Sequence, residues 1–590
     1  MLYSRLVEAY EKIEATTKRI EMTDCLVRLF RETPKELIHK VVYLTQGKIY
    51  PDYLGIELGI AERMAMRSLS IATGVSFNEI EEILKKLGDI GKVAEYIASR
   101  RKQATLFQFA KTPLTVEKVY ETLDKIAKTA GEGSQDLKIR LLAGLLNDAT
   151  PKEAKYLVRT VTGKLRLGIA DMTILDALSI AFFGTKDPRP ILERAYNLCS
   201  DLGKVARLAA EKNLDALKSF KPIIGIPVRP MLAERLSDPK EILAKLNYSC
   251  AAEFKYDGER VQIHKNGEKV KLFSRRLEDI THQYPDVCEY VKKYVKANRA
   301  ILEAEIVAID PDTLEMRPFQ ELMHRKRRHN IAEAMAQYPV ALYFFDIILL
   351  EDEDLTQVPY VERRKKLEEV VVESDHTHLA ERKVIEDQED LEKFFEYAVE
   401  QGCEGIMCKS TSKDSVYQAG NRGWLWIKYK RDYAAELTDT LDLVVVGAFY
   451  GKGKRAGKYG ALLMAAYDPQ SDKFYTVCKV GTGFTDEDLE KLPEMLKEYK
   501  IEHRHPRVVS EMEADVWFVP AMVLEITGAE ITLSPLHTCA KGVIRPEAGL
   551  ALRFPRFTGR WRTDKSPEDA TTVKEIIEMY RSQKRIKVAG

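Results

Sequence analysis

The spacing of apolar residues changes once along the chain, and this change limits the folds that the chain can adopt. Up to about residue 220 apolar residues recur at helical intervals; Leu6, Tyr10 and Ile13, for example, share one helical face. From Tyr248 onward, runs such as AILEAEIVAI and VALYFFDIILL are typical of strands. Between them lies FKPIIGIPVRPMLAERL, whose three prolines in nine positions would interrupt a helix. We therefore predict a helical part and a strand-rich part, joined by a linker.

The strand-rich part divides again. As far as about Lys430, strand-like runs alternate with helical pieces such as DQEDLEKFFEYAVEQG; after Leu441, short strands separated by turns predominate. We predict a multidomain protein with an all-α domain at 1–220, an α/β (α+β) domain at 221–430, and a β-barrel domain at 431–590. The barrel domain is expected to end in a helix, with Ser566 as its N-cap and Pro567 at its first position.

Composition excludes several classes of protein. The chain is 45% hydrophobic and 31% charged, which favours packed cores over disorder. It has no apolar run of roughly 18 residues, and its N-terminus does not resemble a signal peptide. The eight cysteines form no C-x-x-C, and neither a P-loop nor a dinucleotide fingerprint is present. We expect a cytoplasmic protein with reduced thiols, no zinc site and no membrane association.

Charge is distributed unevenly along the chain. Residues 1–225 hold 36 Lys and Arg against 29 Asp and Glu, a net of +7, whereas residues 226–430 have a net of −6. A basic segment attracts phosphate backbones because binding releases condensed counterions. An ordinary solvated surface could carry the same excess, so charge alone leaves both interpretations open.

The strongest chemical signal is EFKYDGER, from Glu253 to Arg260. Lys255 stands two residues ahead of Asp257 on a predicted strand, and Gly258 is expected to allow a tight turn. A desolvated lysine near other cations loses its proton more easily and becomes a nucleophile. The same short pattern also occurs in solvated turns, so the segments that follow it are needed to decide its role.

Those segments carry a resemblance to a known family. KYDG is followed in order by SRR, LEAEIV, YFFDIILL, EGIMCK, WIKYK and RFPRFTGRWRTDK. In this series the chain resembles the ATP-dependent DNA ligases of archaeal and eukaryotic replicative type, which are lysine-adenylating nucleotidyltransferases. The resemblance implies nick sealing in duplex DNA, through a lysine–AMP and then an AMP–DNA intermediate, in replication, repair and recombination. It also implies a helical DNA-binding domain, an adenylation domain and an OB-fold barrel.

The resemblance assigns the central chemistry to five residues. Lys255 would attack the α-phosphate of ATP, the co-substrate, and expel pyrophosphate. Glu305 and Glu404, isolated acids in apolar sequence, would hold Mg²⁺ or another divalent ion such as Mn²⁺; ion pairing with a neighbouring Lys or Arg is the alternative. Lys428 and Lys430 alternate with apolar neighbours, so they share one strand face and could grip the α-phosphate together.

Further ATP-binding residues follow from the same resemblance. Glu253 would read the adenine amino group, Arg260 and Arg275 would contact the nucleotide or DNA phosphate, and Phe345 would stack on the base. Phe345 could equally be a core aromatic. In the C-terminal segment, the resemblance implies that Arg553 and Lys565 meet the pyrophosphate when that domain closes over the site. The sequence does not determine whether ADP or NAD can replace ATP as the co-substrate.

An RNA ligase or capping-type nucleotidyltransferase would share the lysine chemistry. The segment GKLRLGIADMTILDALS, from Gly163 to Ser179, resembles the helical DNA-binding domain of replicative ligases, which capping enzymes lack. We therefore expect nicked duplex DNA as the partner of a monomeric, nucleoid-associated enzyme.

A second partner is indicated by RKQATLFQFAK. Gln103, Leu106, Phe107 and Phe109 resemble the short segment by which archaeal ligases dock on the sliding clamp, with apolar anchors entering a pocket of the clamp. In this segment Gln108 separates the two aromatics that are usually paired. Burial of the three apolar residues in the helical core is the alternative.

Overall fold

The structure is a computed structural model that describes residues 1–101, 112–165, 167–326, 330–430, 439–451 and 455–586. The chain divides into two compact units, one of residues 1–229 with 276–279, and one of residues 230–275 with 280–590. Among the helices of the described ranges, none has the length and apolar character needed to cross a membrane.

The first unit is helical in its described residues, as the apolar spacing predicts. Leu6, Tyr10 and Ile13 are all buried along one side of the first helix. Local sequence sets the helix ends: Thr150 and Glu153 form a capping box around Pro151, which occupies the first helical position. The helices are α1 (Tyr3–Glu14), α2 (Arg19–Glu32), α3 (Ile38–Thr45), α4 (Glu62–Thr73), α5 (Phe77–Leu87), α6 (Ile90–Arg101), α7 (Val116–Lys128), α8 (Ser134–Asp148), α9 (Pro151–Val161), α10 (Asp171–Phe183), α11 (Arg189–Cys199), α12 (Leu202–Ala210) and α13 (Leu214–Lys218).

The second unit begins with a mixed α/β part. Its strands are β1 (Leu232–Arg235), β2 (Cys250–Lys255), β3 (Glu259–Asn266), β4 (Lys269–Ser274), β5 (Arg299–Ala308), β6 (Val340–Leu350), β7 (Glu353–Asp354), β8 (Thr377–Leu379), β9 (Arg382–Ile385), β10 (Gly405–Ser410) and β11 (Arg422–Lys430). Its helices are α14 (Pro239–Lys245), α15 (Pro285–Tyr294), α16 (Phe319–Lys326), α17 (Ile331–Gln337), α18 (Tyr360–Val370) and α19 (Gln388–Glu400).

These strands form two sheets. One has the order β1-β11-β10-β2-β9, and the other has the order β4-β3-β5-β6-β7 with β8 also paired to β6. One face of the first sheet is apolar and packs beneath α14 and α19, where Phe254, Ile406 and Ile427 are buried with Leu391 and Phe394. Because side chains alternate along a strand, the residues between these apolar positions point to the opposite face.

The C-terminal part of the second unit is rich in strands. They are β12 (Leu441–Tyr450), β13 (Tyr459–Asp468), β14 (Lys473–Val480), β15 (Lys500–Ile501), β16 (Val508–Val509), β17 (Val516–Phe518), β18 (Val523–Thr527), β19 (Glu530–Ser534), β20 (Gly549–Arg553) and β21 (Arg556–Trp561). Eight of them form one sheet, and β19 pairs with β20. Two helices accompany them, α20 (Asp486–Leu496) and α21 (Val573–Ile586).

The predicted fold class is confirmed as a helical region, a mixed region and a β-rich region. The predicted start of the last helix is wrong. Ser566 is the N-cap and Pro567 the first residue of a single 3₁₀ turn, Pro567–Asp569, and α21 begins at Val573. Thr572 accepts a hydrogen bond from the backbone N–H of Glu575 at 3.2 Å, so a second capping residue close downstream starts the helix.

Candidate functional site

Three neighbouring strands of the five-stranded sheet bring most of the predicted site residues onto one face. Gly405 of β10 pairs with Lys255 of β2 and with Lys430 of β11. Two residues further along β10, Met407 pairs with Glu253 and Lys428 in the same way. Residues directly opposite each other in a sheet point to the same face. We call this surface the lysine face; its members are Glu253, Lys255, Met407, Lys409, Trp426, Lys428 and Lys430.

Lys255 lies at one end of the lysine face and bonds to Glu404. The ammonium of Lys255 donates to Oε2 of Glu404, and the same carboxylate oxygen lies 3.2 Å from Nζ of Lys430. The backbone N–H of Glu404 also donates to the carbonyl of Lys255, at 2.9 Å. Gly405 contributes no side chain between the two lysines, so both ammonium groups can reach one carboxylate.

The two predicted metal ligands have opposite pKa shifts. Burial of Glu404 disfavours its charge, yet Lys255 and Lys430 hold the pKa of its carboxyl below the ordinary value. Burial raises the pKa of Glu305 to about 8, because Lys255 and Arg260 compensate only part of the desolvation and Glu404 adds repulsion. Glu305 is therefore a carboxyl whose charged form lacks compensation, which is what a bound cation would supply.

Several cations lie close together beside Glu305 and Glu404. Partial burial lowers the pKa of Lys428, and the neighbouring cations Arg422, Lys255, Lys430 and Arg275 lower it further. Such mutual repulsion is relieved when an anion binds. Arg275 is exposed just beyond β4.

The other end of the lysine face is a buried ion cluster. The carboxylate of Glu253 lies 2.7 Å from Nζ of Lys409 and 3.3 Å from Arg364 of α18, and it accepts a hydrogen bond from Tyr360. Glu253 and Lys409 are almost fully buried. The ammonium of Lys409 also lies 4.3 Å from the ring centre of Trp426.

Phe345 faces this end of the site from the six-stranded sheet. Ala304 pairs with Phe344 and Glu303 with Asp346, so Phe345 is the extra residue of a β-bulge. A bulge redirects the side chain that it carries. The ring is only partly buried and lies near two cations, Lys409 at 4.9 Å and Arg260 at 5.4 Å.

Arg260 lies behind Phe345. Its Nε donates to Glu303 at 2.7 Å, and its Nη1 donates to the carbonyl of Met231, also at 2.7 Å. The guanidinium lies 5.7 Å from the ring centre of Trp426 as well. In this structure Arg260 therefore packs against the rings of Phe345 and Trp426.

Gly258 lies in the short bend that joins β2 to β3, and close packing explains why glycine stands there. A Cβ at this position would collide with the carbonyl oxygen of Ile306 and would lie 3.0 Å from Cγ of Glu305. Gly258 is absent from the residues with positive φ. Close approach of β5, rather than left-handed backbone, requires glycine here.

Arg553 and Lys565, the two predicted site residues of the C-terminal part, have different partners. Nζ of Lys565 pairs with Asp442 of β12 at 2.8 Å, a carboxylate that it shares with Arg562. Arg553 is buried at the end of β20, where it donates to backbone carbonyls that directly precede Glu404.

The sequence did not identify the residues that bind the predicted site residues and hold them in place. Lys409 is the final lysine of EGIMCK, and a charged residue inside an apolar strand was a usable signal. Glu303, two residues before Glu305 in LEAEIV, had the same signal. Arg364 and Tyr417 had none, because they come from segments far away in sequence. Tyr417 donates to Glu303, which in turn binds Arg260.

Gln103, Leu106, Phe107 and Phe109 lie outside the described residues, so the predicted clamp-docking segment has no structural account. Among the residues that are described, no group of three or more His, Cys, Asp or Glu side chains could hold a metal ion. Glu305 and Glu404 supply two carboxylates. This number suits Mg²⁺, which is commonly held by one or two carboxylates together with substrate phosphates.

Comparisons with known proteins cover nearly the whole chain. The model for the DNA ligase N terminus matches residues 2–179, the ATP dependent DNA ligase domain matches 230–430, and the ATP dependent DNA ligase C terminal region matches 455–565. The chain is 61% identical to DNA ligase 2 of Thermofilum pendens, covering 99% of this chain and 98% of that protein. It is 57% identical to a DNA ligase of Caldivirga maquilingensis, covering 99% and 98%. A solved structure titled "mycobacterial DNA ligase D complexed with ATP and MES" is 24% identical, with 58% of this chain and 97% of that chain covered and a TM-score of 0.27.

Proposed function

The chain belongs to the ATP-dependent DNA ligase family, and from that premise we propose that Lys255 is the residue that carries AMP during the joining of nicked DNA. Ligases of this family use ATP as co-substrate and act on nicked duplex DNA. An RNA ligase or capping-type function is not favoured, because the helical N-terminal region matches a DNA ligase model as well.

The observation that carries the proposal is the position of Lys255 among charges. Its ammonium bonds to Glu404, and Lys428, Lys430 and Arg275 lie on the same side of the site. In the first step Nζ forms a bond to the α-phosphorus, the bond to the bridging oxygen breaks, and pyrophosphate leaves with the electron pair. The attacking amine must be uncharged, so Lys255 gives up its proton before the bond to phosphorus forms.

The remaining steps transfer the nucleotide and then join the strand. AMP passes from Lys255 to the 5′-phosphate of the nick, and the 3′-hydroxyl attacks that phosphate and releases AMP. In both steps negative charge develops on phosphoryl oxygens. Lys428 and Lys430 are the fixed cations that stabilise this charge without reorganisation of water.

The lysine face also sets the orientation of ATP. The phosphates lie toward Lys255, Lys428 and Lys430, and the adenine lies toward Phe345 and the ion cluster of Glu253. The oxygens of a carboxylate are hydrogen-bond acceptors, and those of Glu253 lie beside the two cations Lys409 and Arg364. Glu253 therefore suits the amino group of adenine, and guanine has an oxygen at that position.

Glu305 and Glu404 would hold a divalent ion, Mg²⁺ or Mn²⁺. The raised pKa of Glu305 supports this proposal, because a cation would stabilise the charged form that burial disfavours. When bound, the ion would neutralise charge on the phosphates of ATP.

The three-domain division is part of the proposal: a helical DNA-binding domain at 1–220, an adenylation domain at 221–430 and an OB-fold domain at 431–590. Lys565 of the last domain would meet the pyrophosphate after that domain closes. The segment containing Gln103, Leu106, Phe107 and Phe109 would dock on a sliding clamp. Roles in replication, repair and recombination follow from these partners.

The nucleophile is tested by labelling with α-³²P-ATP. The wild type should acquire one covalent, alkali-stable label per chain, Lys255→Arg should acquire none, and Lys269→Arg, a change of an exposed lysine on β4, should label normally. Each variant should keep the melting temperature of the wild type within a few degrees. Normal labelling of a folded Lys255→Arg would refute the assignment.

A further inference from the structure

Arg553, at the end of β20, contacts the backbone that leads to Glu404. It is 4% exposed. Its guanidinium donates to the carbonyls of Val399 at 3.2 Å, Gly402 at 2.8 Å and Cys403 at 3.0 Å, and it pairs with Glu530 at 3.3 Å. These carbonyls lie at the C-terminal end of α19, where backbone acceptors lack helical partners and a cation is favourable.

The residue after Arg553 holds the same segment from a second side. Gly402 has φ +98°, and a Cβ there would lie 2.9 Å from the ring of Phe554. No side chain larger than hydrogen fits between this ring and the turn. Arg553 and Phe554 together therefore fix the backbone from Val399 to Cys403.

That backbone leads directly to the reacting groups. Glu404 follows Cys403, donates its backbone N–H to the carbonyl of Lys255 at 2.9 Å, and accepts the ammonium of Lys255 at its carboxylate. A shift of the turn would displace the Cα of Glu404 and, with it, the carboxylate that binds Lys255 and Lys430. Misplacement of a reacting group by about 1 Å can cost roughly 10²-fold in rate.

We infer that Arg553 is a positioning residue for self-adenylation: it holds the turn ahead of Glu404 and thereby aligns Glu404 with Lys255. The inference rests on the proposed role of Lys255. It gives the C-terminal β-rich part a role in the chemistry that requires no contact with the nucleotide. It also replaces the expectation, drawn from family resemblance, that Arg553 binds ATP.

Other contacts between α19 and the C-terminal part provide a matched control. Arg545 pairs with Glu396, one helical turn before the end of α19 and ahead of the turn at 399–403. Burial raises the pKa of Glu396 to about 7, so this carboxyl can take up a proton when its partner is removed. Arg545→Gln therefore removes a contact between α19 and the C-terminal part but leaves the backbone ahead of Glu404 in place.

The first experiment measures single-turnover self-adenylation over a range of ATP concentrations. Arg553→Gln should lower the maximal rate about tenfold or more, with the half-saturating ATP concentration within twofold of wild type. Arg553→Lys should recover part of the rate, and Arg545→Gln should match the wild type. A raised half-saturating concentration with an unchanged maximal rate would overturn the inference in favour of direct ATP binding.

The second experiment measures amide hydrogen exchange without ATP or metal. The N–H of Glu404 should exchange faster in Arg553→Gln than in wild type, and at the wild-type rate in Arg545→Gln. A slower reaction with unchanged exchange at Glu404 would also overturn the inference. If Arg553→Gln does not fold, Phe554→Leu serves instead, with a smaller loss of rate and the same change in exchange.

These outcomes are separable from failure of the proposed function. Absence of label at Lys255 in the wild type would remove the premise. A wild type that labels at Lys255, together with an Arg553→Gln variant that reacts at the wild-type rate, would remove only the positioning role.

Discussion

The lysines at the two ends of the lysine face differ in burial and in how they are paired. The side chain of Lys409 is 2% exposed and lies 2.7 Å from Glu253, which is equally buried. The side chain of Lys430 is 23% exposed and shares the single carboxylate of Glu404 with Lys255. Both lysines lie on neighbouring strands of one sheet and point to the same face.

The difference separates a buried end, where opposite charges are paired, from a partly open end with an excess of positive charge. Around Glu253, Lys409 and Arg364 pair with the carboxylate and Tyr360 donates to it, so this end fixes the shape of the site. Around Glu404, Lys255, Lys428, Lys430 and Arg275 bring more positive charge than the nearby carboxylates offset. Phosphates would supply the missing negative charge, so we expect substitutions at the two ends to affect different measurements.

The largest effect is expected from Lys409→Met, and it should be on stability. Removing one partner of a buried pair leaves Glu253 poorly compensated, at a cost of about 3 kcal/mol in the free energy of unfolding. Urea denaturation measures this cost. Lys430→Met, the matched change at the open end, should alter stability by less than about 1 kcal/mol. Equal stability of the two variants would contradict the division between the ends.

Glu404→Gln should lower the rate of self-adenylation by about 10²-fold, because the neutral amide neither pairs with the ammonium groups of Lys255 and Lys430 nor holds a cation. The melting temperature should stay near that of the wild type, since the site is partly open. Single-turnover labelling at saturating ATP measures the rate. A labelling rate within twofold of wild type would show that Glu404 is dispensable for the first step.

Lys430→Ala should weaken ATP binding by roughly tenfold, the value of one charge-assisted hydrogen bond. The half-saturating ATP concentration in self-adenylation reports this change. The defect should grow at low ionic strength relative to wild type, because the lost interaction is a screened charge contact. A defect that does not vary with salt would point to packing instead.

The smallest effect is expected from Phe345→Leu. Loss of ring stacking should weaken ATP binding by about two- to tenfold, which corresponds to about 0.5–1.5 kcal/mol. Inorganic triphosphate, which has no base, should inhibit self-adenylation equally well in this variant and in the wild type. If triphosphate binding weakened in parallel, Phe345 would be acting on the shape of the whole site.

Several local features could be predicted because they depend on nearby residues. The alternation of Lys428 and Lys430 with apolar neighbours predicted a shared strand face, and the strand register confirms it. DQEDLEKFFEYAVEQG predicted a helix, and α19 spans Gln388–Glu400 with Asp387 as its N-cap. The start of α21 was predicted wrongly because two capping residues, Ser566 and Thr572, lie close together and only packing selects between them.

The sequence by itself determined most of the helices and strands and which of their faces are apolar, since these depend on side chains a few positions apart. The order of the short motifs also indicated the family. Tertiary structure decided which charges meet. Lys255 and Glu404 lie 149 residues apart, and Glu253 and Arg364 lie 111 apart, so their pairing depends on sheet register and helix docking. The bulge at Phe345 and the turn held by Arg553 arise in the same way, because each requires a second segment to fix the backbone of the first.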